Sequence, residues 1–293
     1  GLIALQDNLI DTWLYWQGVA AYEFGPAESI FLRNSLNNFP VDTEAVDQII
    51  ETGTFDLEQP DRFDKGFPAI EYLIFGYADS PAEIVSAFQN EENLRNYLLV
   101  MVTDIQEKAA TTYDQWINGY EQTFIENTGT AAGTSLSLYI NNLNQFYEII
   151  KRDQIGIPSG VLTLGFSNPD KVEAFYSSNS LGFAKAALAS SIRFYKGEST
   201  ASENGLGLDD YLNHVNAQKD GQALDQVIQA QFSKAVLALE EIEGTLSEAV
   251  DSDPEAVSNA YTEITRQIVN LKTDLSAVLC VSITYIDNPS DSD

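Results

Sequence analysis

Apolar residues recur at every third or fourth position over most of this chain. That period commits it to helices packed through one face. In LQDNLIDTWLYWQGVAAYEFG, the stripe is Leu5, Leu9, Trp13, Trp16 and Ala20, ended by Gly25-Pro26. A second stripe, over residues 90–126, carries Leu94, Leu98, Val102, Ile105, Ala109, Tyr113, Trp116 and Tyr120. A third, over 131–152, carries Leu136, Ile140, Leu143, Phe146 and Ile150. IGIPSGVLTLGFSNPDK interrupts the pattern with Pro158, Gly160, Gly165 and Pro169 and is read as a link between two halves. Helical periods resume in SLGFAKAALASSIRFYKG, GLDDYLNHVNA, QALDQVIQAQFSKAVLALEEI and the segment that begins at Asp253-Pro254-Glu255, where Pro254 suits a first helical position.

The expected fold is therefore all-α: two helical-bundle domains, 1–155 and 156–293, side by side. A short strand is expected at most near GVLTLGF or the C-terminus, and the acidic tail DNPSDSD should fray. Leu9–Gly25 and Leu181–Gly197 are helical, equally long and glycine-terminated, which hints at duplication despite poor identity.

Charge and rare residues narrow the function. Against 44 Asp and Glu stand 15 Lys and Arg, a net charge of −29 that repels nucleic acid and anionic lipid. One cysteine, Cys280, excludes an internal disulfide; in LSAVLCVSITYI it is expected as a packed thiol. The single histidine, His214, excludes a His-x-x-x-His zinc motif. With Asp210 it makes an i, i+4 pair, a thin metal site at best. YSSNS and ASSI lack a nucleophile-elbow setting, and GLGLDD has neither the glycines nor the strand of a phosphate loop. No apolar run is long enough to span a bilayer, and a start at Gly1 rather than Met points to a processed or engineered N-terminus.

One acid stands out. Glu71 sits in GFPAIEYLIFG, flanked by Ile70, Tyr72, Leu73 and Ile74. Burying an unpaired carboxylate is costly, so it needs a partner: a structural cation (Arg33, Lys65 or Arg62), a metal or a ligand. Gly66-Phe67 makes a turn, Pro68 fits the first helical position, and Glu71 lies on the same face, one turn on. Trp13, Trp16 and Tyr15 are expected in the core, and Asp42 as the cap of a helix beginning at Thr43 or Glu44.

In this order along the chain, TWLYWQ, YEFGP, LNNFPVD, GFPAIEYLIFG, IGIPSG, EAFYSSNSL, GLGLDDYL and VSITYIDN resemble the imelysin family, whose signature is Gly-x-His-x-x-Glu. Gly66 and Glu71 match that signature, and Pro68 stands where the family has histidine. The resemblance implies two related helical bundles with the motif at the cleft between them. It also implies export, often as a periplasmic or outer-membrane lipoprotein, and a setting in iron uptake. The family is described as metallopeptidases and as iron-regulated proteins. Glu71 is the candidate catalytic or metal-binding residue, and Gly66, Pro68, Glu23, Asp42 and Ser180 complete the candidate cleft. A divalent ion (calcium, iron or zinc) is the cofactor class left open. Proline offers no lone pair, so the expectation is an exported protein that binds a small ligand, metal or peptide, not a working protease. It touches membrane only through a lipid anchor outside this sequence. An active metallopeptidase built on Glu71 and other carboxylates, and a structural or adhesive module, are the alternatives.

Overall fold

The computed structural model describes residues 1–199 and 205–285; the expected acidic tail lies outside the described residues. Within them the chain is helical almost throughout. The first part comprises α1 (Leu2–Val19), α2 (Pro26–Ser29), α3 (Leu32–Leu36), α4 (Thr43–Thr52), α5 (Gly66–Glu71), α6 (Pro81–Asn90), α7 (Glu92–Gln115), α8 (Glu121–Glu126) and α9 (Ser135–Ile149). After the link come α10 (Ser180–Tyr195), α11 (Leu208–His214), α12 (Leu224–Glu240), α13 (Leu246–Ser252), α14 (Pro254–Ile268) and α15 (Ser276–Val278). Wider π-helical turns follow four of these: Tyr72–Gly76 after α5, Trp116–Tyr120 after α7, Ile150–Gly156 after α9 and Val269–Leu275 after α14. Sequence periodicity did not foretell them, because one extra residue in a turn barely disturbs an apolar stripe.

Local chemistry starts these helices where it should. Asp42 accepts the Ala45 N–H at 3.0 Å and caps α4, as expected. Thr245 and Glu248 form a reciprocal capping box on α13, and Asp253 caps α14 ahead of Pro254. The strongest packing pairs α12 with α14 and α1 with α10. Trp13, wholly buried, stacks on Phe67 of α5 at 5.5 Å and leans on Phe183 of α10 at 5.0 Å. Residues before and after 155 thus share one core.

Several local expectations are corrected. α1 ends at Val19, before Gly25-Pro26, and Tyr15 projects into solvent beside the buried Trp13 and Trp16. In α7 the buried residues are Leu94, Tyr97 and Met101, whereas Val102, Ala109 and Tyr113 are exposed. The stripe is covered unevenly: Ile105, Trp116 and Tyr120 are half-buried against the core, with Trp116 edge-on to Phe24 at 5.9 Å, while the positions between them face solvent. GVLTLGF forms turns, not a strand, with Leu164 and Phe166 standing out into solvent. The one β-pairing among the described residues is a two-residue hairpin, β1 (Gln218–Lys219) with β2 (Gln222–Ala223), in antiparallel register Gln218 to Ala223. Cys280 is exposed: it takes the left-handed position after α15, where the turn closed by Val281 N–H on the Ser276 carbonyl directs its side chain outward.

Candidate functional site

The loop that delivers α5 is fixed by Gly66. Its φ of +75° is left-handed, and a Cβ there would stand 2.2 Å from the Leu36 carbonyl oxygen. The helix begins at Gly66 itself, so Pro68 is third, not first. Its missing N–H still costs nothing, because the first four helical N–H groups have no partner within the helix. Phe67 packs beneath Trp13, and Glu71 closes α5 just before the π-helical turn. These constraints press Glu71 inward until 2% of it is exposed.

Its partner is none of the three cations. Arg33 donates through Nη2 to the Ala20 carbonyl and through its main-chain N–H to Glu23. Lys65 donates to the Leu57 carbonyl, and Arg62 forks onto Asp64. Glu71 Oε1 instead accepts the main-chain N–H of Ser177 at 2.8 Å and its hydroxyl at 2.5 Å. A neutral peptide group and hydroxyl offset only part of the desolvation cost, so burial pushes the carboxyl up to about 7; the Ser177 bonds and the Tyr176 N–H oppose this, and the nearby Glu173 charge reinforces it.

Glu173 is a second buried acid near the cleft, one that sequence reasoning missed. It is buried, and four neutral donors surround it: Trp13 Nε1 (3.1 Å), Gln17 Nε2 (2.7 Å) and Asn37 Nδ2 (2.8 Å) on Oε1, and Gln154 Nε2 (2.5 Å) on Oε2. Burial raises its pKa and these four bonds counter the rise. The signal was present: an acid between Val172 and Ala174 has the same apolar setting as Glu71. Ser177 and Tyr176 were equally missed, since nothing local marks a partner 106 positions away.

A cavity of about 260 Å³ opens over Glu71. One wall is Phe39, Pro40, Val41 and Thr43, and Pro68 joins Glu71 on the α5 side. The other comes from the end of the link and the residues after it: Asp170, Lys171, Val172, Ala174, Phe175 and Tyr176. Of the candidate residues, Pro68 and Glu71 meet here, Gly66 sets the approach of α5, and Asp42 sits at the rim between Val41 and Thr43. Glu23 does not line the cavity; burial raises its pKa, and Arg33 counters the rise. Ser180 begins α10, buried, also outside the lining, and its Oγ has no partner. Asp210 accepts the Gly207 N–H at 3.1 Å to start α11, and His214 at the other end of that helix is exposed.

The donor set does not suit a metal. Pro68 contributes no lone pair, Oε1 of Glu71 is engaged, and among the described residues no three of His, Cys, Asp and Glu converge on one point. What remains is a small recess with an acidic floor and aromatic sides.

The fold has solved counterparts. A protein described as an iron-regulated protein A precursor, from Parabacteroides distasonis ATCC 8503, superposes with a TM-score of 0.76 at 19% identity, over 94% of this chain and 83% of that one. An imelysin-like protein from Psychrobacter arcticum 273-4 gives 0.73 at 16% identity, over 97% and 83%. No curated protein sequence matches. The imelysin family model (Peptidase M75) matches residues 1–273.

Proposed function

Because the chain belongs to the imelysin family, we propose that it uses the family's motif cleft to bind a small ligand and not to cut peptides. The observation that carries this reading is the pairing of Glu71 with Ser177 beside Pro68. Metal-assisted hydrolysis needs a metal held by several protein ligands with one position left open for an activated water. Here the motif position that would supply a nitrogen ligand is a proline, and the acid next to it is tied to the opposite wall. That tie draws residues 39–43, α5 and residues 170–177 around one recess, and a recess of this kind serves recognition.

The wider setting is also part of the proposal: an exported protein, periplasmic or held at the outer membrane by a lipid anchor, acting in iron acquisition. Its support is the description of the Parabacteroides neighbour as an iron-regulated precursor. Among the described residues no helix is long and apolar enough to cross a membrane.

Incubating the protein with unfolded peptides, with and without a chelator, tests the first half. The expected result is no cleavage in either arm, and chelator-sensitive cleavage overturns the reading. Ligand binding is tested by screening small polar compounds while following amide shifts of 170–177. Shifts confined to those residues and α5 are expected; a screen without any such shift defeats the proposal.

A further inference from the structure

We propose that the ligand of this cleft is an organic ammonium compound, a small primary or quaternary amine whose charge rests against Glu71 and Asp170 and whose carbon body lies against Phe39, Phe175 and Tyr176. The inference rests on the ligand-binding reading of the cleft and specifies its chemistry.

Size comes first. A cavity of about 260 Å³ corresponds to on the order of eight or nine waters at about 30 Å³ each. It lies just below the usual range for small-molecule sites, which limits the guest to a few carbons and one polar head. Charge comes next. The acids lining the recess, Glu71 and Asp170, face one cation, Lys171. Lys171 is exposed at the rim, on a stem that can swing into solvent, whereas Glu71 is fixed in the floor by its two Ser177 bonds. Glu71, Asp170 and Tyr176 line the same recess, and the Tyr176 phenol is held neutral first by burial and then by the charges of Glu71, Asp47 and Asp170. Beyond the recess, a chain of net charge −29 concentrates cations at its surface.

The walls supply the rest. Phe175 and Tyr176 meet edge to face at 5.2 Å, and Tyr176 also packs on Tyr72 at 5.3 Å, so the rings are held in place. Aromatic faces attract ammonium groups, and combined with carboxylates they select cations over neutral isosteres. An anionic guest would need Lys171 to outweigh two acids, and the Ser177 N–H is already given to Glu71.

The test is ligand titration of the whole chain by NMR at pH 8, using n-butylammonium and tetramethylammonium with n-butanol and butyrate as matched controls. Saturable shifts at 170–177 with the two ammonium ions, at least about tenfold tighter than with the controls, are expected. Asp170→Asn and Tyr176→Leu should each weaken binding by about fivefold to tenfold. Lys171→Ala, at an exposed side chain whose loss leaves the fold intact, should tighten it. Butyrate binding that Lys171→Ala abolishes would overturn the ammonium assignment and leave the ligand-binding reading standing. Equal binding of butanol and butylammonium, or ammonium shifts that map elsewhere, would likewise overturn the assignment. Failure of the broader compound screen, in contrast, removes both.

Discussion

Replacing Glu71 with glutamine should make the protein more stable at pH 8, although it alters a residue of the family signature. In the folded chain burial lifts this carboxyl from an ordinary 4.5 to about 7. Between those two values the folded protein keeps a proton that the unfolded chain has released, so stability falls as pH rises through that window and is flat above it. The interval from 4.5 to about 7, at about 1.4 kcal/mol for each tenfold change in proton activity, amounts to about 3 kcal/mol of penalty at pH 8. By pH 5 most of it is gone, leaving about 1 kcal/mol. Glutamine is neutral at both, and its carbonyl oxygen can accept both Ser177 bonds in place of Oε1. Urea denaturation at pH 5 and pH 8, followed through the buried Trp13 and Trp16, gives both stabilities. The low limit stays above the pI of about 4.1, where solubility is least. Other acids with raised pKa values, Glu23, Asp153, Glu173 and Asp209, make both proteins lose stability as pH rises. The difference between variant and wild type therefore reports Glu71 together with its coupling to the neighbouring Glu173. Parallel pH profiles, or a variant less stable than wild type at pH 8, would refute the claim that burial dominates at this site.

Substitutions at three other positions probe the same architecture. Gly66→Ala forces a Cβ against the Leu36 carbonyl at a left-handed φ, which should cost about 3 kcal/mol or prevent folding; an unchanged melting temperature would mean that this loop is free to move. Glu173→Ala strands the buried amide donors of Gln17, Asn37 and Gln154 and should cost about 3–5 kcal/mol. Glu173→Gln should recover most of that, with the unpartnered Gln154 carbonyl turning to accept the new amide; equal losses in the two variants would show that shape, not hydrogen bonding, matters there. Pro68→His should create measurable zinc or nickel binding by calorimetry, at a stability cost of about 0.4–1 kcal/mol, because the introduced imidazole would share the recess with Glu71 and Asp170. A Pro68→His/Glu71→Ala control must lose that gain, and an equal gain in the control would place the ion elsewhere.

What the sequence disclosed and what it hid follow from the range of the forces involved. Stripes such as Leu143, Phe146 and Ile150 are local and made the helices legible, as did Asp42 and Pro254 at helix starts. The floor of the cleft was half legible: an acid among apolar residues at position 71 announced a buried charge. Its partner did not, because a hydroxyl and an N–H at Ser177 carry no charge to search for, and the three cations considered, Arg33, Lys65 and Arg62, are engaged with Ala20, Leu57 and Asp64. Exposure failed in the same way. Tyr15 and Val102 are apolar in character and outside in fact, since covering depends on neighbours from elsewhere in the chain.

The π-helical turn at Tyr72–Gly76 stores one residue more than an α-helical path between the same points would need. That surplus is slack, placed immediately after the carboxylate that ties the two walls together. Deleting one residue from it would reel in the following segment by one α-helical step. Tyr77, set edge to face against Tyr72 and bonded to Glu91, would then swing round the helix axis while Glu71 stayed where it is. The floor of the cleft and the segment beyond the turn are therefore mechanically separable: one is clamped to the core, the other hangs on a turn with length to spare.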